Sequence, residues 1–343
     1  MHGFDDDTEK LAQEIVELAL ERIRMSPPPL DGPRKASVLQ GIVGETISST
    51  GIGAEKALQL FFNVLARSCT TLSHPRNFAA VPSAPTNESV LFDLMVSAAS
   101  IFGGAWAGGA GAIFAENQVL RWLADEAGFP ETAGGTFVQG GTLGILSALV
   151  AGRTKAQAAR QGDAPKVWKI AVSAEAHFAT AESARVMGCE ILELPVDANH
   201  RVTGELLRET LSAADTDGLF AVVASAGTTN LGAIDDLDGI AQVCEERGLW
   251  FHVDGAYGFP GILAPSTRHL FMGIARADSF VVDPHKWLFS PYDACALVYR
   301  DIEDGSRAHA YSDVYITALH PEPVDPREEF DPKNYAVQLS RRA

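Results

Sequence analysis

The sequence predicts an α/β fold in which a mainly parallel sheet is flanked by helices and preceded by an N-terminal helical segment. From about residue 135, short apolar runs alternate with helical stretches. That alternation is typical of a parallel sheet that helices cover on both faces. The pattern of residues 1–95 is helical instead, and 343 residues are enough to bury a substantial core. We therefore divide the chain into a helical segment, 1–95, and a large α/β domain, 96–343.

The N-terminal segment contains three predicted helices. The first spans Thr8–Arg24, where the apolar residues fall on one face of a helix, and the prolines at positions 27–29 end it. Two more are predicted within residues 37–70 from the apolar positions around Leu58 and Val64.

The stretch Leu94–Ala115 has 22 residues without a charge, which is long enough to span a bilayer. Five of these residues are glycine, and Asp93 and Glu116 flank the stretch without a basic cluster. Glycine and serine make insertion into a bilayer weak. We therefore predict a buried helix followed by a loop of small residues, and no membrane span.

The predicted strands and helices of the large domain alternate along the chain. The strands are Trp168–Ser173, Phe220–Ala224, Leu249–Val253, Ser279–Val282 and Ala294–Tyr299. The helices include Leu143–Arg153, Thr180–Met187, Gly204–Ala213 and Leu237–Arg247. Ligands of such sheets gather at the carboxyl ends of the strands, so the polar residues that follow the strands are the candidates for a site.

Charge and cysteine content exclude several classes of protein. The net charge of −17 argues against non-specific binding to nucleic acid or to an anionic membrane. The four cysteines are scattered, without the C-x-x-C spacing of zinc or redox sites, which suits a reducing cytoplasm. A dinucleotide-binding protein is poorly supported, because no G-x-G-x-x-G opens a strand–helix unit at the right place.

Lys286 follows the predicted strand Ser279–Val282 in the sequence Asp-Pro-His-Lys-Trp. A lysine at the end of a buried strand is unusual, and desolvation or a nearby cation makes its amine a nucleophile. A surface lysine in a loop is the alternative, and for a lysine without partners it would be preferred.

Asp254 ends another strand and precedes small residues. A carboxylate there could pair with a protonated pyridine nitrogen and keep the ring cationic. A helix N-cap or a turn aspartate is the alternative.

Residues at three further places in the chain indicate a ligand site only when they are considered together. Gly141 and Thr142 precede a predicted helix, whose amino end suits a phosphate, although a plain turn explains them equally well. His177 follows a strand, where its imidazole could stack on a flat ring or simply be a core or surface histidine. Thr229 follows another strand, where its hydroxyl could reach a ring substituent or belong to an ordinary turn.

Together these motifs resemble the group II pyridoxal 5'-phosphate (PLP) dependent amino-acid decarboxylases, which have the fold-type I architecture. The resemblance runs from about residue 35 to the last residue. It is strongest in residues 226–236, 252–258 and 277–288. Order and spacing agree over these motifs, which makes the resemblance specific.

The resemblance implies a cofactor, a reaction and roles for named residues. Lys286 would bind PLP as a Schiff base, Asp254 would pair with its pyridine nitrogen, and His177 and Ala256 would contact its two faces. The phosphate would lie near Gly141, Thr142 and His285, and Thr229 would contact ring substituents. The reaction is loss of the α-carboxylate from an amino acid, and the catalytic residues implied are Lys286, His177, Asp254 and Tyr315. Tyr315 is similar to a loop tyrosine that protonates the product carbanion.

Departures from the family leave alternatives open. Leu143-Gly144-Ile145 replaces a Glu-Ala-Asn run near the phosphate. Phe78 is the only aromatic residue of the segment His74–Pro82, where members with aromatic substrates have several, which weakens the prediction of an aromatic substrate. We expect a homodimer with interlocking N-terminal helices and a chain that lacks most of the family's small C-terminal domain. Another PLP enzyme (an aldehyde synthase, lyase or aminotransferase) or an inactive truncated PLP-binding remnant is the alternative.

Overall fold

The computed structural model describes residues 3–78, 81–310 and 330–342. The chain divides into two compact units, Met1–Asn87 and Glu88–Ala343. The boundary drawn from the sequence, between residues 95 and 96, falls inside the helix Asn87–Ala99. All but the first residue of that helix therefore belong to the second unit.

The first unit is helical. It contains α1 (Asp6–Arg24), α2 (Ala36–Val43) and α3 (Ala54–Leu60), and α3 continues through a π-helical turn, Phe61–Leu65, and a 3-10 turn, Ala66–Ser68. α1 begins where the side chain of Asp5 accepts a hydrogen bond from the amide of Thr8 at 2.9 Å, a standard N-cap. Within this described unit, α1, α2 and α3 contain no buried residue. The helices predicted from the N-terminal pattern are observed.

The uncharged stretch Leu94–Ala115 is divided between two helices of the second unit, α4 (Asn87–Ala99) and α5 (Trp106–Glu126). The expectation of a buried helix is wrong for α4, because Leu94 is 53% exposed and Met95 is 65% exposed. α5 has a kink at Gly109 and buries Ile113 and Leu123. Among the described residues, no helix is long and apolar enough to cross a membrane.

A seven-stranded sheet forms the centre of the second unit. Its strands are Gly134–Val138 (β1), Lys169–Ser173 (β2), Glu190–Leu194 (β3), Leu219–Ser225 (β4), Trp250–Asp254 (β5), Ser279–Val282 (β6) and Cys295–Tyr299 (β7). Their order in the sheet is β1-β7-β6-β5-β4-β2-β3. The strands β6, β5, β4, β2 and β3 are parallel, whereas β7 is antiparallel to both of its neighbours, β6 and β1. β1 therefore runs in the same direction as the parallel strands.

Helices cover both faces of this sheet. Alternate residues of a strand point to opposite faces, so Val222 packs in one hydrophobic cluster and its neighbours Ala221 and Val223 pack in the other. The first cluster includes side chains of α5, α8 (Gly204–Ala213) and α9 (Leu237–Arg247), and the second includes side chains of α6 (Gly141–Ala159) and α7 (Ala179–Met187). α10 (Ile302–His309) follows β7 and packs against α6. The predicted layered architecture is confirmed.

Two strands were missed from the sequence. β1 begins with two glycines, which have a low strand propensity. β3 is one of the two edge strands, and its two glutamates leave it largely exposed, so it lacks the continuous apolar run of a buried strand. The five predicted strands are present, with ends that differ by one residue at most.

Candidate active site

The loops that follow β1, β2, β4, β5 and β6 lie at one edge of the sheet, because these five strands run in the same direction. They enclose a pocket, which we call the carboxyl-edge pocket. Seven of the residues predicted from the sequence line it: Gly141, Thr142, His177, Thr229, Asp254, Ala256 and Lys286. The structure thus brings into one pocket residues that lie up to 145 positions apart (286 − 141).

Lys286 lies in a tight turn after β6, where its amide donates a hydrogen bond to the carbonyl of Asp283 at 2.9 Å. The turn directs its side chain into the pocket, and Nζ lies 2.8 Å from Oδ2 of Asp283. The Lys286 side chain is 18% exposed and that of Asp283 is 3% exposed. The pocket therefore holds an amine that is shielded from bulk water and paired with a buried carboxyl group.

Asp254 is the last residue of β5, the strand next to β6. Its Oδ1 accepts a hydrogen bond from the amide of Ala256 at 3.1 Å, which fixes the carboxyl group at the floor of the pocket. Burial raises the pKa of Asp254, while the hydrogen bond from Ala256 and the nearby charge of Lys286 act in the opposite direction. A cationic partner in the pocket would therefore stabilise the carboxylate of Asp254.

His177 lies in the loop between β2 and α7. Its Nδ1 accepts a hydrogen bond from the amide of Ala179 at 3.2 Å, so a neutral ring carries its proton on Nε2. The ring also contacts Phe178, with 4.2 Å between the ring centroids. The backbone of the α7 amino end thus sets both the orientation and the tautomer of this histidine.

The turn between β1 and α6 supplies the amino end of a helix. Gly140 has φ 83°, a conformation that favours glycine, and it redirects the chain into α6. A Cβ atom on Gly141 would come within 3.2 Å of Oδ2 of Asp283 and 3.5 Å of Cβ of Ala256. Glycine therefore lets the first turn of α6 approach the floor of the pocket closely, with its amides and dipole positioned for an anion.

The loop after β4 is held by a buried acid. Oδ1 of Asp235 accepts a hydrogen bond from the amide of Val202, and Oδ2 accepts one from the amide of Ser225, both at 2.7 Å. Burial raises the pKa of Asp235 to about 6. Because Ser225 ends β4 and lines the pocket, Asp235 fixes the backbone that leads to Thr228 and Thr229.

His285 is placed differently from its neighbours. It is not among the residues that line the carboxyl-edge pocket. Its Nδ1 lies 2.8 Å from the carbonyl oxygen of Ala294, its ring stacks on Tyr292 at 4.4 Å, and Nε2 lies 3.8 Å from Oδ2 of Asp283. Within the described part of the chain, His285 therefore contacts the pocket through Asp283.

One predicted site residue has no described position, and several residues of the pocket were not predicted. Tyr315 lies outside the described residues. Sequence reasoning assigned no role to Asp283, Ser225 or Tyr257, all of which line the pocket. Asp283 carries a signal that could have been used, since it directly follows the buried strand β6 and precedes Lys286 by three positions.

These groups fit PLP. Lys286 offers an amine for the aldehyde, Asp254 a carboxyl group for the pyridine nitrogen, and the amino end of α6 an anion site for the phosphate. Gly141 leaves open the space that a Cβ atom would fill. His177 offers a flat ring at the same pocket.

Comparison with known proteins agrees with this geometry. The model of the pyridoxal-dependent decarboxylase conserved domain matches residues 49–343. The chain belongs to this family. Membership confirms the predicted family, its enzyme class and its cofactor, pyridoxal phosphate.

Two similar decarboxylases and one solved structure show how much of this chain, and of each relative, the similarity covers. The aromatic-L-amino-acid decarboxylase of Bacillus atrophaeus is 30% identical over 343 residues, covering 98% of this chain and 70% of that enzyme. The L-2,4-diaminobutyrate decarboxylase of Rhizobium meliloti is 30% identical over 313 residues, covering 89% of this chain and 61% of that enzyme. The crystal structure of mouse CSAD superposes with a TM-score of 0.88 at 25% identity, covering 99% of this chain and 72% of that one. The chain thus spans about 60–70% of the length of these two curated decarboxylases.

Proposed function

We propose that this protein removes the α-carboxylate of an L-amino acid as CO2 and releases the corresponding amine, with PLP as its cofactor. The observation that carries the proposal is the convergence of Lys286 and Asp254 on one pocket at the carboxyl edge of the sheet. A family match over residues 49–343 supports it.

Lys286 is the residue that would hold the cofactor covalently through Nζ. When bound, PLP supplies an electron-poor ring that takes up the electron pair of the breaking Cα–carboxylate bond. The amides at the amino end of α6 would bind its phosphate, and Asp283, His177 and Asp254 restrict the remaining space around Nζ.

Asp254 and His177 would perform the electrostatic and proton-handling steps. A carboxylate at Asp254 keeps a ring nitrogen protonated, because the buried charge needs a cationic partner. His177 carries a proton on Nε2 in its neutral form and lines the pocket, so it is one candidate donor to the substrate carbon. By family resemblance we also propose Tyr315 as a proton donor and Thr229, Ala256 and His285 as cofactor contacts.

The proposal is tested by supplying PLP to the purified protein and screening the standard amino acids and 2,4-diaminobutyrate for release of amine and CO2. We expect visible absorbance from the bound cofactor and equal amounts of amine and CO2 from at least one substrate. Substitution Lys286→Ala should abolish both the absorbance band and the reaction.

Lys169→Ala is the matched control, because Lys169 begins β2 and therefore lies at the opposite edge of the sheet from the pocket. It should keep the absorbance and the turnover of the natural chain. A natural chain that stays colourless with added PLP would contradict the proposal. Release of a keto acid in place of the amine would identify an aminotransferase, and release of an aldehyde would identify an aldehyde synthase, so either product would contradict the proposed decarboxylation.

We further propose that the protein acts as a homodimer in the cytoplasm and that residues 1–95 take part in dimerisation. The exposed apolar side chains of α4 support a second copy, because several large apolar side chains exposed together on one helix are unusual on a monomer. All four cysteines are free, which suits a reducing compartment.

A further inference from the structure

The carboxyl group of Asp283 is the nearest charged partner of the lysine amine in the carboxyl-edge pocket. Its Oδ2 lies 2.8 Å from Nζ of Lys286 and 3.8 Å from Nε2 of His285. Asp254, on the neighbouring strand, is the second acid that faces this amine. Two carboxyl groups and one amine therefore share a small buried space.

The two oxygens of Asp283 have different surroundings. Oδ2 contacts the amine, whereas Oδ1 is buried and has no nitrogen or oxygen donor within hydrogen-bond distance among the described residues. Both oxygens lie next to Gly141: a Cβ atom on this residue would be 3.2 Å from Oδ2 and 3.3 Å from Oδ1. The thiol of Cys295 is also near: burial raises its pKa most, and the charge of Asp283 and a weak thiol hydrogen bond to that carboxyl group raise it further.

A purely structural ion pair would explain these contacts less well. A buried acceptor that lacks a hydrogen bond is costly, and buried ion pairs contribute little net stability compared with apolar packing. An oxygen left free beside a reactive amine is, by contrast, useful for proton transfer. A buried polar atom without a strong donor calls for an explanation in a folded protein, and a part in the chemistry of the site is one such explanation.

We propose that Asp283 is a positioning residue for Lys286. Its carboxylate holds the free amine as an ammonium inside the carboxyl-edge pocket and then accepts one proton from Nζ, so that the amine can react. The step moves a proton from nitrogen to a carboxylate oxygen, leaving a neutral amine and a carboxylic acid, without a change in oxidation state. This inference rests on the proposed function only in giving Lys286 its covalent role.

The test uses the cofactor-free protein and acetic anhydride at trace concentration, with acetylation of Lys286 measured by mass spectrometry over a range of pH. Without the carboxylate the ammonium loses its stabilising neighbour, so Asp283→Asn should raise the labelling rate at pH 7 by about tenfold. The pH of half-maximal labelling should also fall. Labelling of Lys169 in the same sample is the internal reference.

Asp293→Asn is the matched control, because it removes an exposed acid from the same loop and should leave the labelling of Lys286 unchanged. An identical pH profile of Lys286 labelling in Asp283→Asn and in the natural chain would overturn the proposal. The readout does not depend on turnover, so it stands apart from the screen for amine release.

A double-substitution cycle keeps the proposal testable even where Asp283→Asn alone folds poorly. Lys286→Met leaves the buried carboxylate without its partner and should lower the unfolding temperature. The pair Asp283→Asn with Lys286→Met removes both charges and should unfold at a higher temperature than Lys286→Met alone. Strictly additive effects would contradict a direct coupling of the two groups.

Discussion

The carboxyl group of Asp254 shows how a single buried side chain is prepared for a charged partner. Burial raises its pKa, and one backbone hydrogen bond from Ala256 fixes its position. The group therefore has the right place in the pocket while its charge depends on what binds there. This combination fits the proposed role of Asp254 as the partner of a protonated ring nitrogen.

We predict that Asp254→Asn lowers amine release at least about 100-fold, the scale of losing one preorganised electrostatic partner in an active site. The amide keeps the shape of the side chain but cannot hold a protonated ring nitrogen. Steady-state rates of amine release with saturating PLP measure the effect. Asp217→Asn, an exposed acid at the other edge of the sheet, should retain full activity. Activity of Asp254→Asn within twofold of the natural chain would show that this carboxylate is not needed.

Asp235 makes the stability of the folded chain depend on pH. Its pKa in the folded chain is about 6, above the ordinary value of 3.8, because it is buried. The folded state thus binds a proton more readily than the unfolded state, and the resulting stabilisation is lost as the pH rises through about 6.

We therefore predict that the free energy of unfolding of the natural chain, measured relative to Asp235→Asn, decreases between pH 5 and pH 7 by about 1–3 kcal/mol. The asparagine side chain has no titrating proton, so the difference isolates Asp235. Urea unfolding at each pH, followed by circular dichroism, measures it. If the free energy of unfolding relative to Asp235→Asn instead increased with pH, the two amide hydrogen bonds would lower the pKa of Asp235 by more than burial raises it.

At the scale of elements, the amino end of α6 lines the carboxyl-edge pocket and the helix packs closely on the sheet. A Cβ atom on Gly144 would come within 2.8 Å of Cγ1 of Val281, and one on Gly152 within 2.6 Å of Cγ of Trp250. Glycine lowers helix propensity by about 1 kcal/mol relative to alanine. These glycines are explained by the approach of the helix to β5 and β6, which also places the α6 amino end over the pocket.

We predict that Gly152→Ala destabilises the fold by about 1–3 kcal/mol, since overpacking against Trp250 exceeds the gain in helix propensity. Gly111→Ala in α5 is the matched control, because nothing lies within 4 Å of the added Cβ atom. It should stabilise the chain by up to about 1 kcal/mol. Thermal unfolding of both variants tests the pair. Equal effects of the two substitutions would contradict the packing argument.

At the scale of the whole molecule, the second unit exposes apolar side chains on one helix. Four large residues of α4 are more than two fifths exposed: Leu91 44%, Phe92 73%, Leu94 53% and Met95 65%. An exposed group of this kind marks a surface for another protein. A second copy of the chain is the partner that our proposal of a homodimer names, since most soluble oligomers are symmetric assemblies of one chain.

We predict that the protein has twice the 36.6 kDa mass of the chain in solution and that Phe92→Glu converts it to a monomer. A charge at the centre of a dry interface leaves a buried group without a partner. Multi-angle light scattering after gel filtration measures the mass. Met272→Glu, at an exposed apolar residue outside α4, should leave the dimer intact. A dimer that survives Phe92→Glu would exclude α4 from the interface.

The sequence by itself determined the layered α/β class and several of the residues that line the carboxyl-edge pocket. Apolar runs fix strands because alternate side chains enter two cores, and Lys286 and Asp254 stand out because charged residues rarely follow such runs without a role. His177, Gly141 and Thr142 also lie at strand or helix ends, but each had an ordinary structural alternative, and it was the family resemblance that implied their roles. β1 and β3 escaped prediction because glycine and glutamate mask their strand character.

Only the tertiary structure decided which of these residues meet and how. β7 lies between β6 and β1 and runs antiparallel to both, which brings the β1–α6 turn to the same edge as Lys286. It also showed that His285 points toward Ala294 and that Asp283 holds the lysine amine. The physical reason is that strand order and side-chain direction depend on pairing and packing between distant segments, and a local sequence pattern carries no information about which segments those are.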